Sequence, residues 1–389
     1  MAGTDRLAGA PQVRVERLLS AGRRRVDRLG RRLPTVGLEG VLADLDRTGS
    51  CCEVPGEAAG EGLTWDDADR EDEVWWPQGV ACLRSGALLL VSWYAQRRLG
   101  WTRGSRLTVV DRSDPDRPHY RHVLLVVPRR VTALGRVPVH AGGIAVLDDL
   151  LYVADTRTGV RVFRLQDLLQ VPARRLDALL PWRSAGTRTL GRRLTGGHTA
   201  YGFRYVLPQL LRLPLSPEAG GRRLRCSFVF LGTVEGRPSL VVGEYGRKGS
   251  VPRLARYPID LRTGLPERSA DGRFEPLEVH QGAPLRMQGV AVHEGTWYVS
   301  ASAGQGNRGD LHVGRPGRFR RHRGVLPPGP EDLDWSRPGE QLWSLTEYPG
   351  HRAVFPVDAR RWPGPDRAEP EPGGIVTPVT PDAELVTGD

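Results

Sequence analysis

Lysine is almost missing from this chain. It occurs once, at Lys248, and asparagine once, at Asn307, in 389 residues. Arginine supplies the rest of the 56 basic side chains, and the formal net charge is +11. So one-sided a bias follows most simply from the codon usage of a GC-rich genome. It is weak ground for a nucleic-acid partner, and none is expected. A run of roughly 18 apolar residues is also absent, which excludes a spanning helix. Cysteine is scarce: Cys51, Cys52, Cys82 and Cys226. They form no CxxC pair, so no structural zinc site is expected, and reduced thiols point to the cytoplasm. The amino end scatters its apolar residues among arginines, and a secretory signal is not expected there. No GxSxG elbow, P-loop or dinucleotide fingerprint occurs. The chemistry is expected to need no cofactor, with calcium or magnesium as the alternative.

What is present is a large apolar fraction, 39%, enough for a sizeable core, with 48 glycines and 32 prolines that demand many turns. Charge is unevenly placed. Residues 1–34 carry a net +6, residues 35–75 a net −10, residues 76–358 a net +18 and residues 359–389 a net −3. Residues 13–33 place Val15, Leu18, Leu19, Gly22, Val26, Leu29 and Leu33 at helical spacing, with arginines opposite. Such a basic amphipathic helix lies on a membrane, on a partner or on the protein's own acidic surface. A short helix is expected at 38–46 and a loop at 53–73. The division is therefore a basic helical arm and acidic linker over 1–74, a main body over 75–362, and a disordered tail rich in proline and acids over 363–389.

The body is written in short β-type runs separated by Gly, Pro, Asp and Arg turns, which indicates an all-β protein. One helical insertion is allowed at 165–180. The runs repeat. Units open at Pro77-Gln78-Gly79-Val80-Ala81, at His140-Ala141-Gly142-Gly143-Ile144, in degenerate form at His198, at Met287-Gln288-Gly289-Val290-Ala291, and at Pro330-Glu331-Asp332-Leu333-Asp334. Each continues with a second strand such as LLYVADT and a third such as GVRVFRL. Radial repetition of small sheets is the β-propeller solution to exposed edges. Five blades are expected, with six as the alternative. The glycine before each first strand suits crowding near a central axis. The stretch GGIAVLDDLLYVADTRTGVRVF resembles the blade repeats of the NHL and LVIVD propeller families. The region 75–358 is similar to uncharacterised actinobacterial propeller proteins, many of them secreted. This chain departs from the asparagine and aspartate set that calcium-dependent lactonase-type propellers carry at the channel. The resemblance implies a fold and says little about activity.

Propeller geometry turns the repeats into a site. Entry loops and second-strand loops open on one face, although they span most of the chain. Entry loops contribute Gln78, His140, His198 or Tyr201, Gln288, and Glu331 with Asp332. Second-strand loops contribute Trp93, Tyr94, Asp155, Glu244, Tyr245, Ser302, and Glu347 with Tyr348. His140 is the leading catalytic candidate, because an imidazole titrates near working pH. Glu244 and Glu347 would orient it or act as a second acid or base. The plainer readings stand beside these. His140 would cap a strand, the glutamines would knit blades together, Asp155 would close a turn, and the tryptophans would pack blades. The expected function is acid/base chemistry in a central funnel on a small organic molecule, anionic if the basic body attracts it, of the cyclase, isomerase or lyase type in specialised metabolism. The alternatives are a non-catalytic scaffold or ligand-binding propeller, and a metal-dependent hydrolase using Glu331, Glu244 and Glu347.

Overall fold

Strands such as Leu88–Ala95 are apolar on both faces and buried on both, which only a sheet sandwiched between other sheets satisfies. The computed structural model describes residues 5–97, 100–131, 133–172, 189–192, 197–216, 222–269, 271–336 and 341–365. The protein is an all-β propeller, and the described strands build antiparallel units of four. The first is Trp75–Leu83, Leu88–Ala95, Ser105–Asp111 and His119–Pro128. The second is Ile144–Leu147, Leu150–Asp155, Gly159–Arg164 and Tyr205–Leu213. Phe228–Val234, Arg237–Gly243, Arg253–Asp260 and Glu278–Gln281 form the third. Met287–His293, Thr296–Ala301, Arg308–Arg315 and Arg318–Pro328 form the fourth. The fifth is Asp334–Ser336, Gln341–Leu345 and Ala353–Asp358, completed by Gly62–Thr64 from the other end of the chain. The first strands of these units touch in chain order, and the fifth returns to the first, so the ring closes.

The core lies in wedges between neighbouring units. Leu90, Val109 and Val123 of the first meet Ile144, Val153 and Phe163 of the second. Near the axis there is no room for side chains. A Cβ on Gly143 would stand 2.8 Å from Phe228 Cα, and one on Gly289 would stand 2.3 Å from Leu333 N. The glycine in the repeat is therefore a packing requirement of the inner strands.

Three expectations differ from the structure. The third unit does not start at His198. His198–Ala200 pairs with Leu190–Arg192 in a separate hairpin, and Tyr205–Leu213 is the outer strand of the second unit. The insertion between the third and fourth strands of that unit displaced the reading. Its 3-10 turn covers Leu165–Asp167, while residues 173–180 lie outside the described part. Second, the stretch 53–73 is not simply loop. It holds the closing strand and a helical turn, Asp67–Arg70, capped by the Asp66 carboxylate on Asp69 N. Third, the short helix covers Gly37–Leu42 rather than 38–46.

The amino-terminal helix α1, Asp5–Gly30, lays Val15, Gly22, Val26 and Leu29 on the body and turns Arg17, Arg23, Arg24 and Arg25 outward. Its Gly22 lets the strand Tyr205–Leu213 approach: a Cβ there would meet Leu210 O at 2.3 Å. The acidic segment also docks internally. Asp69 is 3% exposed and takes Arg106 at 2.9 Å, Tyr120 Oη at 2.8 Å and His122 Nε2 at 2.8 Å. Asp44 pairs with Arg121 at 3.3 Å and Arg204 at 2.7 Å. The tail from 366 lies outside the described residues. Among the described residues no helix is long and apolar enough to cross a membrane.

Candidate functional site

Two glutamates come together because the chain makes one antiparallel bridge, Pro330 with Thr346. Glu331 N donates to Leu345 O at 2.9 Å, and Glu347 N donates to Gly329 O at 3.2 Å. The bridge sets Glu331 and Glu347 side by side, their carboxyl groups close enough to act on each other. Two glutamines from other units hold the pair from outside. Gln288 Nε2 donates to Glu331 Oε1 at 2.7 Å, and Gln78 Nε2 donates to Glu347 Oε2 at 3.0 Å. These are the matching repeat positions of the fourth and first units.

Aromatic rings cover the pair. The Tyr348 hydroxyl lies near Glu347 and Ser302. Tyr94 is near enough for both carboxyls to push its phenol up, after the larger effect of burial. His140 lies against Tyr94, ring centroids 4.3 Å apart and tilted by 39°. Trp76 meets Tyr348 edge-on at 5.9 Å. Glu331 is buried, Glu347, Tyr94, Tyr348, Gln288 and Ser302 are half-buried, and His140 is exposed. This gradation describes a mouth with an acidic floor and an imidazole at its lip.

Burial sets the protonation of the group. It raises Glu331 well above the usual carboxyl range, with the charges of Glu347 and Asp332 adding to the rise. Burial raises Glu347 as well, opposed by its bonds to Gln78, Tyr348 and Glu331. Two carboxyls in contact cannot both ionise cheaply, so the pair shares one proton. Tyr348 is pushed up to about 12, chiefly by burial. His140 is open to solvent on one side yet crowded by the funnel wall, and this loss of water lowers it to about 4. It is neutral at pH 7.

Below the pair, the fifth unit stitches the axis. Asp332 Oδ2 accepts from Val80 N at 3.2 Å and Ile144 N at 3.0 Å. Asp334 Oδ2 accepts from Cys82 N at 2.7 Å. Arg352 backs the site: its Nε donates to Glu347 O at 3.0 Å and its Nη1 to Asp69 O at 2.6 Å. Nothing in the sequence marks Arg352 out among so many arginines.

The structure thus gathers Gln78, Tyr94, His140, Gln288, Glu331 and Glu347, with Ser302 and Tyr348. It does not gather the others. Trp93 is fully buried and packs on Trp65 at 5.0 Å, because adjacent residues of a strand face opposite ways. Glu244 is spent on Arg253 at 2.9 Å and on Arg225 N at 2.8 Å, so it joins neither His140 nor a metal set with Glu331 and Glu347. Asp155 pairs with Arg161 at 2.9 Å and closes its turn on Arg157 N at 3.0 Å. His198 and Tyr201 belong to the inserted hairpin, where Tyr201 packs on Trp101. Tyr245 is half-buried beside Arg247, its N donating to Ser227 Oγ at 3.0 Å. Among the described residues no three His, Cys, Asp or Glu side chains are grouped to hold a metal ion.

A groove of about 890 Å³ opens on the opposite face, lined by Glu278, His280, His293 and Trp297. Its carboxylates are engaged: Glu278 with Arg256 and with His280 at 3.4 Å, and Glu235 with Arg256 at 2.8 Å.

No protein-family model and no curated protein matches the chain. Among solved structures it is similar to XC5397, a gluconolactonase from Xanthomonas campestris, at 14% identity and a TM-score of 0.39, covering 80% of this chain and 88% of that one. It is also similar to a GH43_1 enzyme from Xanthomonas citri, at 12% identity and a TM-score of 0.36, covering 85% and 92%. The β-propeller domain of Cps50 (Swd1) from Myceliophteria thermophila matches at 14% identity and a TM-score of 0.32, covering 72% and 83%.

Proposed function

We propose that this propeller is an enzyme that moves protons on a small organic molecule at the Glu331–Glu347 pair. The observation that carries the reading is the carboxyl–carboxyl contact, buried on one side and open at Glu347 on the other. A pair that shares a proton offers an acid and a base at one place, which is what a cyclase, isomerase or lyase requires. Glu331, the deeper member, holds the proton. Glu347 meets the substrate, with the Tyr348 hydroxyl near it as the group that steadies its charge. His140 is neutral at pH 7, so its ring accepts or donates a hydrogen bond without adding charge. A second reading, a propeller that binds its ligand without turning it over, is favoured by the two glutamine bonds, which fix the pair as a rigid acceptor.

The test is untargeted mass spectrometry of a small-molecule extract incubated with purified full chain. Wild type is expected to deplete a compound that Glu347→Gln depletes at least 100-fold more slowly, in the range general acid/base catalysis supplies. A compound retained on the protein but never converted selects the binding reading. Equal turnover by Glu347→Gln overturns the enzymatic one.

A further inference from the structure

Gln78 donates both amide hydrogens, one to Pro77 O at 2.7 Å and one to Glu347 at 3.0 Å. A carbonyl only accepts, so the amide orientation is fixed. Its other end, Oε1, is buried in a side chain with no exposure and has no hydrogen-bond partner among the described residues. This acceptor sits on the same amide that holds Glu347. The Gln288 donor is likewise directed at Glu331. The pair itself offers carboxyl oxygens, those of the half-buried Glu347 nearest the opening. A ligand that bonds the Glu347 oxygens must bring donors.

The charges point the same way. Those acting on Glu331, from Glu347 and Asp332, are negative. Arg352, the cation that acts on Glu347, stands behind it in the wall, with Nε and Nη1 on main-chain oxygens and Nη2 without a hydrogen-bond partner among the described residues. His140 at the lip carries no charge at pH 7. The walls are π faces, Tyr94 against His140 at 4.3 Å and Tyr348 against Trp76 at 5.9 Å. Rings around a carboxylate suit a positive nitrogen. An anion, which the basic body would attract from afar, finds repulsion here; exposed Arg225, Arg247 and Arg286 in loops of the same face are where it would stop.

We infer that the mouth takes an organic cation, an amine or quaternary ammonium whose nitrogen sits on Glu347 between Tyr94, His140 and Tyr348. The inference rests on the Glu331–Glu347 pair as the working centre and names the substrate class it serves. A cation held there lowers the proton affinity of the pair. Binding therefore releases a proton, and affinity rises with pH until the pair has lost that proton by itself. Glu331, Glu347, Asp332, Tyr94, Tyr348, His140 and Arg352 are the charged or titratable groups facing it.

Calorimetric titration of the full chain with phenethylamine, its neutral analogue phenethyl alcohol, its anionic analogue phenylacetate, tetramethylammonium, calcium and magnesium tests this. Phenethylamine is expected to bind about tenfold or more tightly than the alcohol. Repeating the titration in two buffers of different ionisation enthalpy is expected to show proton release. Glu347→Gln should remove the preference for the amine. Tyr94→Phe should keep it and Tyr94→Ala should weaken it about tenfold, with unchanged thermal melting. Tighter binding of the alcohol or of phenylacetate overturns the inference, as does displacement of the amine by stoichiometric calcium or magnesium, or no amine binding. Loss of turnover in Glu347→Gln without any amine preference sinks this inference and leaves the enzyme standing. An amine preference that Glu347→Gln abolishes while turnover persists does the reverse.

Discussion

At the scale of a residue, the inner strands are governed by what is not there. A Cβ at Gly289 would meet backbone at 2.3 Å from Leu333 N and 2.6 Å from Asp332 Cα, and backbone cannot swing aside as a side chain can. Gly306, in the hairpin loop of the same unit, has nothing within 4 Å of such a carbon. Gly289→Ala is therefore expected to destabilise by about 1–3 kcal/mol or more, and Gly306→Ala to stay within about 0.5 kcal/mol. Urea unfolding of the two variants checks this, and equal midpoints would show that the ring is looser than the packing implies. The same scale explains a misreading in the candidate site. Trp93 and Tyr94 are neighbours on one strand, both aromatic, and composition alone gives no sign of which faces the mouth. Alternation along Leu88–Ala95, paired to Ser105–Asp111 without a break in register, sets that direction, and a shift of one residue exchanges the two faces.

At the scale of an element, four of the five repeating units are legible in the sequence, and the third unit and the strap that closes the ring are not. The inner strands carry a glycine and an alternating apolar pattern, so Gln78, Gln288 and Glu331 fell into register with one another before any coordinates. The closing strand Gly62–Thr64 has three residues, too few to show a period, and its neighbours are acids and glycines that read as loop. What fixes it is a distant contact, Asp69 with Arg106, Tyr120 and His122. The contact makes the strap sensitive to acid. Burial, then Arg106, hold His122 at about 4, against the bond to Asp69 that raises it. Its Nδ1 lies 2.8 Å from Thr108 Oγ1 and its Nε2 faces Asp69, so the neutral ring is bonded at both nitrogens. Because the folded value is depressed, this stabilisation is complete above the unfolded pKa near 6.5 and is lost as pH falls toward 4. By pH 5 the loss from this one ring is about 2 kcal/mol. His122→Gln keeps a donor for Asp69 and cannot take up a proton. It is expected to be less stable than wild type at pH 7 but to lose less between pH 7 and pH 5 in urea unfolding. A parallel loss in both proteins would remove His122 from the account.

At the scale of the molecule, the net charge of +11 is a balance between a basic body and an acidic segment that folds onto it. The structure separates that segment into two kinds of contact. Asp44 and Arg204 are 40% and 41% exposed in their pair, whereas Asp69 and Arg106 are 4% and 5% exposed in theirs. Salt reaches the first pair and not the second. Raising sodium chloride from 0.1 to 1 M shortens the screening length from about 10 to about 3 Å. Amide exchange is therefore expected to quicken around the helix Gly37–Leu42 and Asp44, while Gly62–Arg70 keeps its protection. Exchange that quickened evenly from Gly37 through Arg70 would mean that the strap is held by long-range attraction to the body. Exchange confined to the first stretch would mean that a buried ion pair and one strand close the ring, with the surface charge left over for what approaches from outside.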